Sequence, residues 1–301
     1  MEKVGDWMKV IFVFIDGFGL GEKDASKNPM VAVETPGLDY IFSNYKVFPT
    51  DATLGIEGLP QSATGQTAIF TGVNGSAALG RHLSGQPTET LITIINRISL
   101  FKALLERGFT VTYANVYRDP YLKEMHNPSS RKNRPSVTSV MGMSVGMKFR
   151  NVRDYQEGKG VYHDITGQIL MESGYDVKPI TPQEAAGRLY NISRDYDFTL
   201  YEHFMTDIIG HTGDMELAIK EIGLLDAFLA ELVRLVDLNR DLIVITSDHG
   251  NIEDISVKTH TMNKVPTVFI GKLPEGVKPE INSILDIMPA VMEIMNRAKG
   301  S

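Results

Sequence analysis

Apolar residues fall in short, unbroken runs along this chain, and polar or acidic turns follow them closely. Val10-Ile11-Phe12-Val13-Phe14-Ile15 runs into Asp16-Gly17, and Leu242-Ile243-Val244-Ile245 runs into Thr246-Ser247-Asp248-His249-Gly250-Asn251. Phe198-Thr199-Leu200-Tyr201 precedes Asp207-Ile208-Ile209-Gly210-His211, and Thr259-His260-Thr261 stands just before Thr267-Val268-Phe269-Ile270. Runs of this kind read as strands buried on both faces, as in a parallel sheet. Between them the period becomes helical. Leu91 to Arg107 has helical periodicity and ends at Gly108, a residue suited to the left-handed position after a helix. Met215 to Val236 reads as a long amphipathic helix. Thr35-Pro36 opens a short one with a hydroxyl cap, and Thr181-Pro182-Gln183-Glu184 is a capping box. Thr110 to Val116 alternates like a strand. Strands alternating with helices predict an α/β fold, a mostly parallel sheet covered by helices on both faces.

The stretch from about 131 to 160 breaks this pattern. It is rich in Ser, Gly, Met and basic residues and has no clear period. Residues 81–180 are therefore assigned to a small cap domain inserted into a core made of residues 1–80 and 181–301.

Composition narrows the class. A chain of 301 residues, 22% charged and 43% hydrophobic, is an ordinary globular protein of one large or two smaller domains. The absence of Cys excludes disulfides, thiolate nucleophiles and zinc–thiolate sites, and fits a reducing cytoplasm. No apolar run approaches the ~20 residues that cross a membrane. Glu2 and Asp6 precede the first strand where a signal peptide would be basic. A net charge of −7 argues against a nucleic-acid surface. The expectation is a cytoplasmic protein with no nucleic-acid or membrane partner.

The acids and imidazoles are the candidate chemistry. Ligands bind at the carboxyl ends of strands in open α/β sheets, and Asp16, Asp207, Asp248, His249 and His260 all lie at the edges of strand-like segments. Asp207 and His211 are four apart, so one helical turn puts both on one face. Most single Asp and His residues cap a turn or pack in a core, but four coincidences at strand ends suggest one shared metal site. Ser62 stands where a turn leads into the helical segment ending at Phe70. A hydroxyl there is favoured for capping alone. The same place offers unpaired N–H groups to a phosphate, Gly65 leaves room for a ligand, and a bound metal would make the hydroxyl nucleophilic. Thr64 is the rival hydroxyl.

These segments together resemble the alkaline phosphatase superfamily of metalloenzymes, most nearly its branch of cofactor-independent phosphoglycerate mutases and phosphopentomutases. Asp207-x-x-x-His211-Thr-Gly and His260-Thr-x-Asn-x-Val-Pro match the segments of one metal, and Asp16-Gly with Asp248-His249-Gly-Asn those of the other. Ser62-x-x-Gly65 resembles the nucleophile segment, with Gln66 where the family usually has His. Thr35-Pro36-Gly37-Leu38-Asp39 and Asp286-Ile287-Met288-Pro289-Ala290 resemble two family helix starts. The match runs from about 8 to 80 and from about 180 to 298. The middle does not match, and the mutases' Gly- and His-rich phosphate-handling segment is not found there.

The resemblance implies one metal held by Asp207, His211 and His260, and another held by Asp16, Ser62, Asp248 and His249. The ions would be Mn²⁺ or Zn²⁺, with Mg²⁺ a third choice, and Ser62 would attack phosphorus to form a phosphoserine. Two divalent ions, three carboxylates and a Ser62 alkoxide sum to zero (4 − 3 − 1 = 0), so a phosphomonoester needs further cations. Arg81 with His82, and Arg131, Lys132 and Arg134, are the candidate clusters, each otherwise a solvated loop charge. Arg118-Asp119 superficially resembles an Arg-Asp pair of the mutases, but a dipeptide is weak evidence and an ion-paired surface turn explains it better. His203, near Asp207, is a candidate to support the metal ligands from behind. The expected substrate is a small phosphorylated metabolite. Net hydrolysis is expected, because so short a cap is poorly suited to sealing an intermediate from water. The alternatives are a phosphomutase and a metal-binding regulatory protein without turnover.

Overall fold

The computed structural model describes residues 7–127 and 134–300. Arg131 and Lys132, from one of the expected cationic clusters, lie outside the described residues.

Among the described residues eight strands form: β1 (Val10–Ile15), β2 (Val47–Thr50), β3 (Val111–Tyr113), β4 (Val116–Tyr117), β5 (Arg150–Asn151), β6 (Phe198–His203), β7 (Leu242–Thr246) and β8 (Val265–Ile270). Six make one sheet in the order β2-β8-β7-β1-β6-β3, and β4 pairs with β5 separately. β7, β1, β6 and β3 run parallel to one another, whereas β8 runs antiparallel to both β7 and β2. Strict alternation divides β1 between two cores. Val10, Phe12 and Phe14 face one apolar cluster, and Ile11, Val13 and Ile15 face the other. The helices Ser62–Thr71, Leu100–Leu105 and Ile287–Lys299 contribute to the first, and Pro182–Ser193 and Met215–Leu235 to the second. This is the expected α/β arrangement, a mostly parallel sheet covered on both faces.

Register places the site. Ile15 is opposite His203, and Phe14 is opposite Thr246, so β6, β1 and β7 end at one level. Because β8 is antiparallel, its first residues lie at that same rim, and the segment carrying His260 arrives there. Thr50 of β2, opposite Val265, then sends the chain toward Ser62.

Four local expectations are corrected. The helix foreseen from Leu91 to Arg107 is two, Glu89–Arg97 and Leu100–Leu105, with Ile98 extended between them. Thr35 gives no side-chain cap to the helix Pro36–Asn44. The Asp226 carboxylate, reaching from the long helix Met215–Leu235, accepts from Gly37 N at 3.2 Å and Leu38 N at 2.7 Å instead. The strand expected from Thr110 to Val116 breaks at Asn115, whose amide replaces ladder bonds by pairing with the backbone N–H and carbonyl of Glu202. Finally, residues 81–180 are not one separate body. β3 extends the main sheet, and Leu91, Ile95, Phe101, Val137 and Met141 belong to its core. What stands apart is a small cluster around Val116, Val152, Tyr155, Tyr162 and Leu170.

Candidate metal centre

Three strand ends and two loops bring the acids and imidazoles together. Asp16 follows β1, and its backbone N–H donates to the His203 carbonyl at 2.8 Å. Asp248 and His249 follow β7 and are fully buried. Asp207 and His211 share one turn at the helix Met205–Gly210, with His211 Nε2 3.4 Å from Asp207 Oδ1.

One group comprises Asp207, His211 and His260. His260 Nε2 lies 3.3 Å from Asp207 Oδ1 and 3.2 Å from His211 Nε2. The far ring nitrogens are engaged: His211 Nδ1 donates to the Lys258 carbonyl at 3.0 Å, and His260 Nδ1 to the Pro60 carbonyl at 2.7 Å. Those bonds fix tautomers with bare Nε2 lone pairs facing one another beside a carboxylate. Such an arrangement is repulsive by itself and is made favourable by a cation. Asn251 Nδ2 orients Asp207 by donating to its Oδ1 at 2.7 Å.

The second group forms around His249. Its Nε2 is 3.1 Å from Asp16 Oδ1, 3.6 Å from Asp248 Oδ2 and 3.0 Å from Ser62 Oγ. Asp16 Oδ1 is buried without a hydrogen bond, an orphan acceptor of the kind a metal satisfies. Asp207 also belongs to this group with Asp16 and His249, so it lies between the two. The oxygen and nitrogen donors suit divalent Mn, Zn or Mg.

The electrostatics agree with the donor chemistry. Burial and the neighbouring Asp16 carboxylate raise Asp248 well above the usual carboxyl range. Burial opposes charge on His249, but Asp248, Asp16 and Asp207 together carry it up to about 10. Burial also opposes ionisation of Asp207, yet His260, His249 and Asn251 bring it down to about 2. The cluster has a surplus of negative charge that positive charge relieves.

Ser62 is the first residue of its helix, and Gln61 is the cap. Two details differ from the sequence reading. The Leu83 carbonyl accepts from Ala63 N at 3.0 Å and Thr64 N at 3.4 Å, so those two amides are already paired. Gly65 makes room for the protein itself: a Cβ there would sit 2.9 Å from the Asp248 carbonyl oxygen. Thr64 is fully buried and donates to the Gln61 carbonyl at 3.2 Å, whereas Ser62 Oγ faces His249. Gln66 donates from Nε2 to Asp16 Oδ2 at 3.1 Å and Asp248 Oδ2 at 3.4 Å, a neutral bridge between two acids.

A cavity of about 680 Å³ opens from this centre. Arg118 and Arg134 line it with Ser62, Asp16 and Asp207, but Arg81 and His82 do not. Arg81 is exposed, and the His82 ring is committed to Ser76 Oγ at 3.1 Å and the Ile56 carbonyl at 3.1 Å. His203 does not support Asp207. Its ring lies between the His163 carbonyl at 2.9 Å and Glu221 at 3.1 Å.

Sequence reasoning missed two residues. Glu253, almost fully buried, accepts from Gly19 N at 2.9 Å, Asn251 N at 2.7 Å and Asn263 Nδ2 at 3.1 Å, tying together the loops that carry Asp16, Asp248 with His249, and His260. Glu202, next to last in β6, lines the cavity, and burial pushes its carboxyl up to about 7 although Tyr113 and Thr138 donate to it. Glu253 had only its place three residues after Gly250 as a signal, and Glu202 only its interruption of an apolar run.

The chain is similar to several known proteins. A phosphoglycerate mutase of the 2,3-bisphosphoglycerate-independent type from Methylobacillus flagellatus is 31% identical over 131 residues, 40% of this chain and 25% of that protein. The chain thus aligns with only about a quarter of that relative's length. Leishmania mexicana phosphoglycerate mutase, solved at low cobalt concentration, superposes with a TM-score of 0.61 at 10% identity, covering 99% of this chain and 97% of that one. Alkaline phosphatase from the Antarctic bacterium TAB5 gives 0.55 at 12% identity, covering 97% and 99%. At those identities the two structures show the shared fold. The model of the Metalloenzyme superfamily matches residues 8–299, and the chain belongs to that alkaline phosphatase-like superfamily.

Proposed function

We propose that this chain is a two-metal phosphoryl-transfer enzyme acting on a small phosphomonoester through a phosphoserine at Ser62. The observation that carries the reading is the position of Ser62 Oγ, 3.0 Å from His249 Nε2 at the edge of the convergent donors. Asp207, His211 and His260 would hold one ion, and Asp16, Asp248, His249 and Ser62 the other. When bound, the ions supply charge neutralisation for phosphate oxygens and lower the pKa of the Ser62 hydroxyl. Ser62 Oγ forms its bond to phosphorus as the ester P–O bond breaks, and its proton ends on the departing alcohol. Asn251 and Gln66 hold the acids in place during that exchange. Arg118 and Arg134, on the cavity wall, are the candidates to meet the organic part of the ester.

The fate of the phosphoserine divides two outcomes. Transfer to water gives a phosphatase, and return to another hydroxyl of the same molecule gives a mutase. The names of the relatives support the mutase. The mutase is therefore the stronger outcome. An acid-quenched reaction with a labelled aryl phosphate and Mn²⁺ or Zn²⁺ should yield a phosphopeptide containing Ser62. Label on Thr64, or turnover retained in Ser62→Ala, would overturn the assignment. Following free phosphate and positional isomers from phosphoglycerates and pentose phosphates then separates the two outcomes.

A further inference from the structure

Away from the metal ligands, the cavity wall contains one carboxylate that those ligands do not use. Glu202 is 4% exposed. Its Oε2 takes both available donors, the Tyr113 hydroxyl and Thr138 Oγ1, the latter at 2.7 Å. Those donors are themselves fixed. Tyr113 packs on Tyr117 with ring centroids 5.8 Å apart, and Tyr117 stacks on Tyr121 at 4.9 Å. The Tyr117 and Tyr121 hydroxyls converge on Ser139 Oγ at 2.7 and 3.0 Å. The carboxylate is therefore held by one oxygen, and no described residue donates to Oε1, although Glu202 lines the cavity. A pinned carboxylate with one acceptor oxygen left over on a cavity wall is a recognition element, because that oxygen can accept from a donor on a bound molecule.

The surrounding charges decide which donor fits. Arg118 and Arg134 line the same cavity, so an ammonium group would meet two cations there. A carboxylate or second phosphate would meet Glu202. A hydroxyl suits both, because it donates to Glu202 and accepts from an arginine.

We propose that Glu202 is a specificity-determining residue: its free carboxylate oxygen accepts a hydrogen bond from a hydroxyl on the organic part of the substrate, so the cavity favours a neutral, hydroxyl-bearing phosphomonoester over its carboxylic-acid counterpart. This rests on the phosphoryl-transfer reading above and adds a substrate class to it.

The test uses the full chain loaded with Mn²⁺ and measures acid-quenched phosphorylation of the protein, which does not depend on where the phosphoryl group goes next. Glycerol 3-phosphate and 3-phosphoglycerate differ only by CH₂OH against CO₂⁻, 2-aminoethyl phosphate supplies an ammonium, and 4-nitrophenyl phosphate reports phosphoryl transfer itself. The diol ester should be preferred over the acid by about tenfold or more in kcat/KM. Glu202→Gln keeps a carbonyl oxygen for Tyr113 and Thr138 and turns an N–H₂ group into the cavity. The diol-to-acid ratio should then fall by about tenfold or more, through a higher KM for the diol. Thr138→Val, which removes one of the two anchoring donors, should lower the ratio less. Wild-type preference for 3-phosphoglycerate or for 2-aminoethyl phosphate, with the aryl ester still reacting, overturns this proposal alone, and so does an unchanged ratio in Glu202→Gln. Failure of all four esters to phosphorylate the protein overturns the phosphoryl-transfer reading and this proposal with it.

Discussion

Replacing Glu202 with Gln should make the protein more stable at neutral pH and remove part of its pH dependence. The folded-state pKa of Glu202 is raised from 4.5 to about 7, chiefly by burial, with the Asp16 charge adding to it. The gap of roughly 2.5 units corresponds to about 3 kcal/mol at about 1.4 kcal/mol per unit. The folded chain holds this proton more tightly than the unfolded chain does. Stability therefore falls as pH rises from about 4.5 to about 7. The cost is absent below that window and complete above it. Gln cannot ionise, and its carbonyl oxygen still accepts from Tyr113 and Thr138. The difference in stability, wild type minus variant, should thus decline by about 3 kcal/mol across the window. Urea unfolding at several pH values, in chelator so that metal affinity does not enter, measures it as a shift in midpoint at constant slope. Parallel stability curves for the two proteins, or a variant that loses ground as the pH rises from 5 to 8, would refute the reasoning.

Three further outcomes are expected. Asp226→Ala leaves the buried N–H groups of Gly37 and Leu38 without their acceptor. At about 1.5–3 kcal/mol for each of the two bonds to a charged group, it should cost about 3–6 kcal/mol, and a urea-unfolding loss under about 1 kcal/mol would contradict this. Gly210→Ala would set a Cβ 2.5 Å from Asn251 Oδ1, displacing the amide that orients Asp207. Titration should show metal affinity lower by about 10–100-fold, the usual effect of losing such support, and unchanged affinity would count against the geometry. Asp207→Ala should reduce bound divalent metal and abolish phosphoryl transfer while the sheet still forms, checked by elemental analysis beside circular dichroism. Full metal content in that variant would remove Asp207 from the ligand set.

The central strands β1, β6, β7 and β8 were legible because they are buried on both faces, which leaves mostly apolar runs in the sequence. Asp16, Asp207, Asp248, His249 and His260 were legible for the same reason: each lies next to such a run, and the structure gathers them at one rim. What was hidden depends on contacts between distant segments. The Leu83 carbonyl that takes the first amides of the Ser62 helix comes from a loop with no pattern of its own. The close approach of Asp248 explains Gly65, but only after β7 and that helix are packed. Asp226 looks like an ordinary polar position on a long helix until the start of another helix is found against it. The division of residues 81–180 failed because β3 is short and pairs with a strand far along the chain, which local periodicity does not reveal.

β1 has consequences for the order in which this protein is made. Its six residues, all buried, are made well before both partners, which begin at Phe198 and Leu242. Helices between them can form locally, but the central strand has neither neighbour until β6 is made and lacks its second until β7 follows. Through that interval an apolar, β-prone segment lacks its sheet, and such segments associate with one another or with chaperones. Asp16 likewise meets Asp248 and His249 only when β7 docks. The donor group around His249 is therefore assembled only when the sheet closes, whereas Asp207 and His211 are brought together earlier by a single turn.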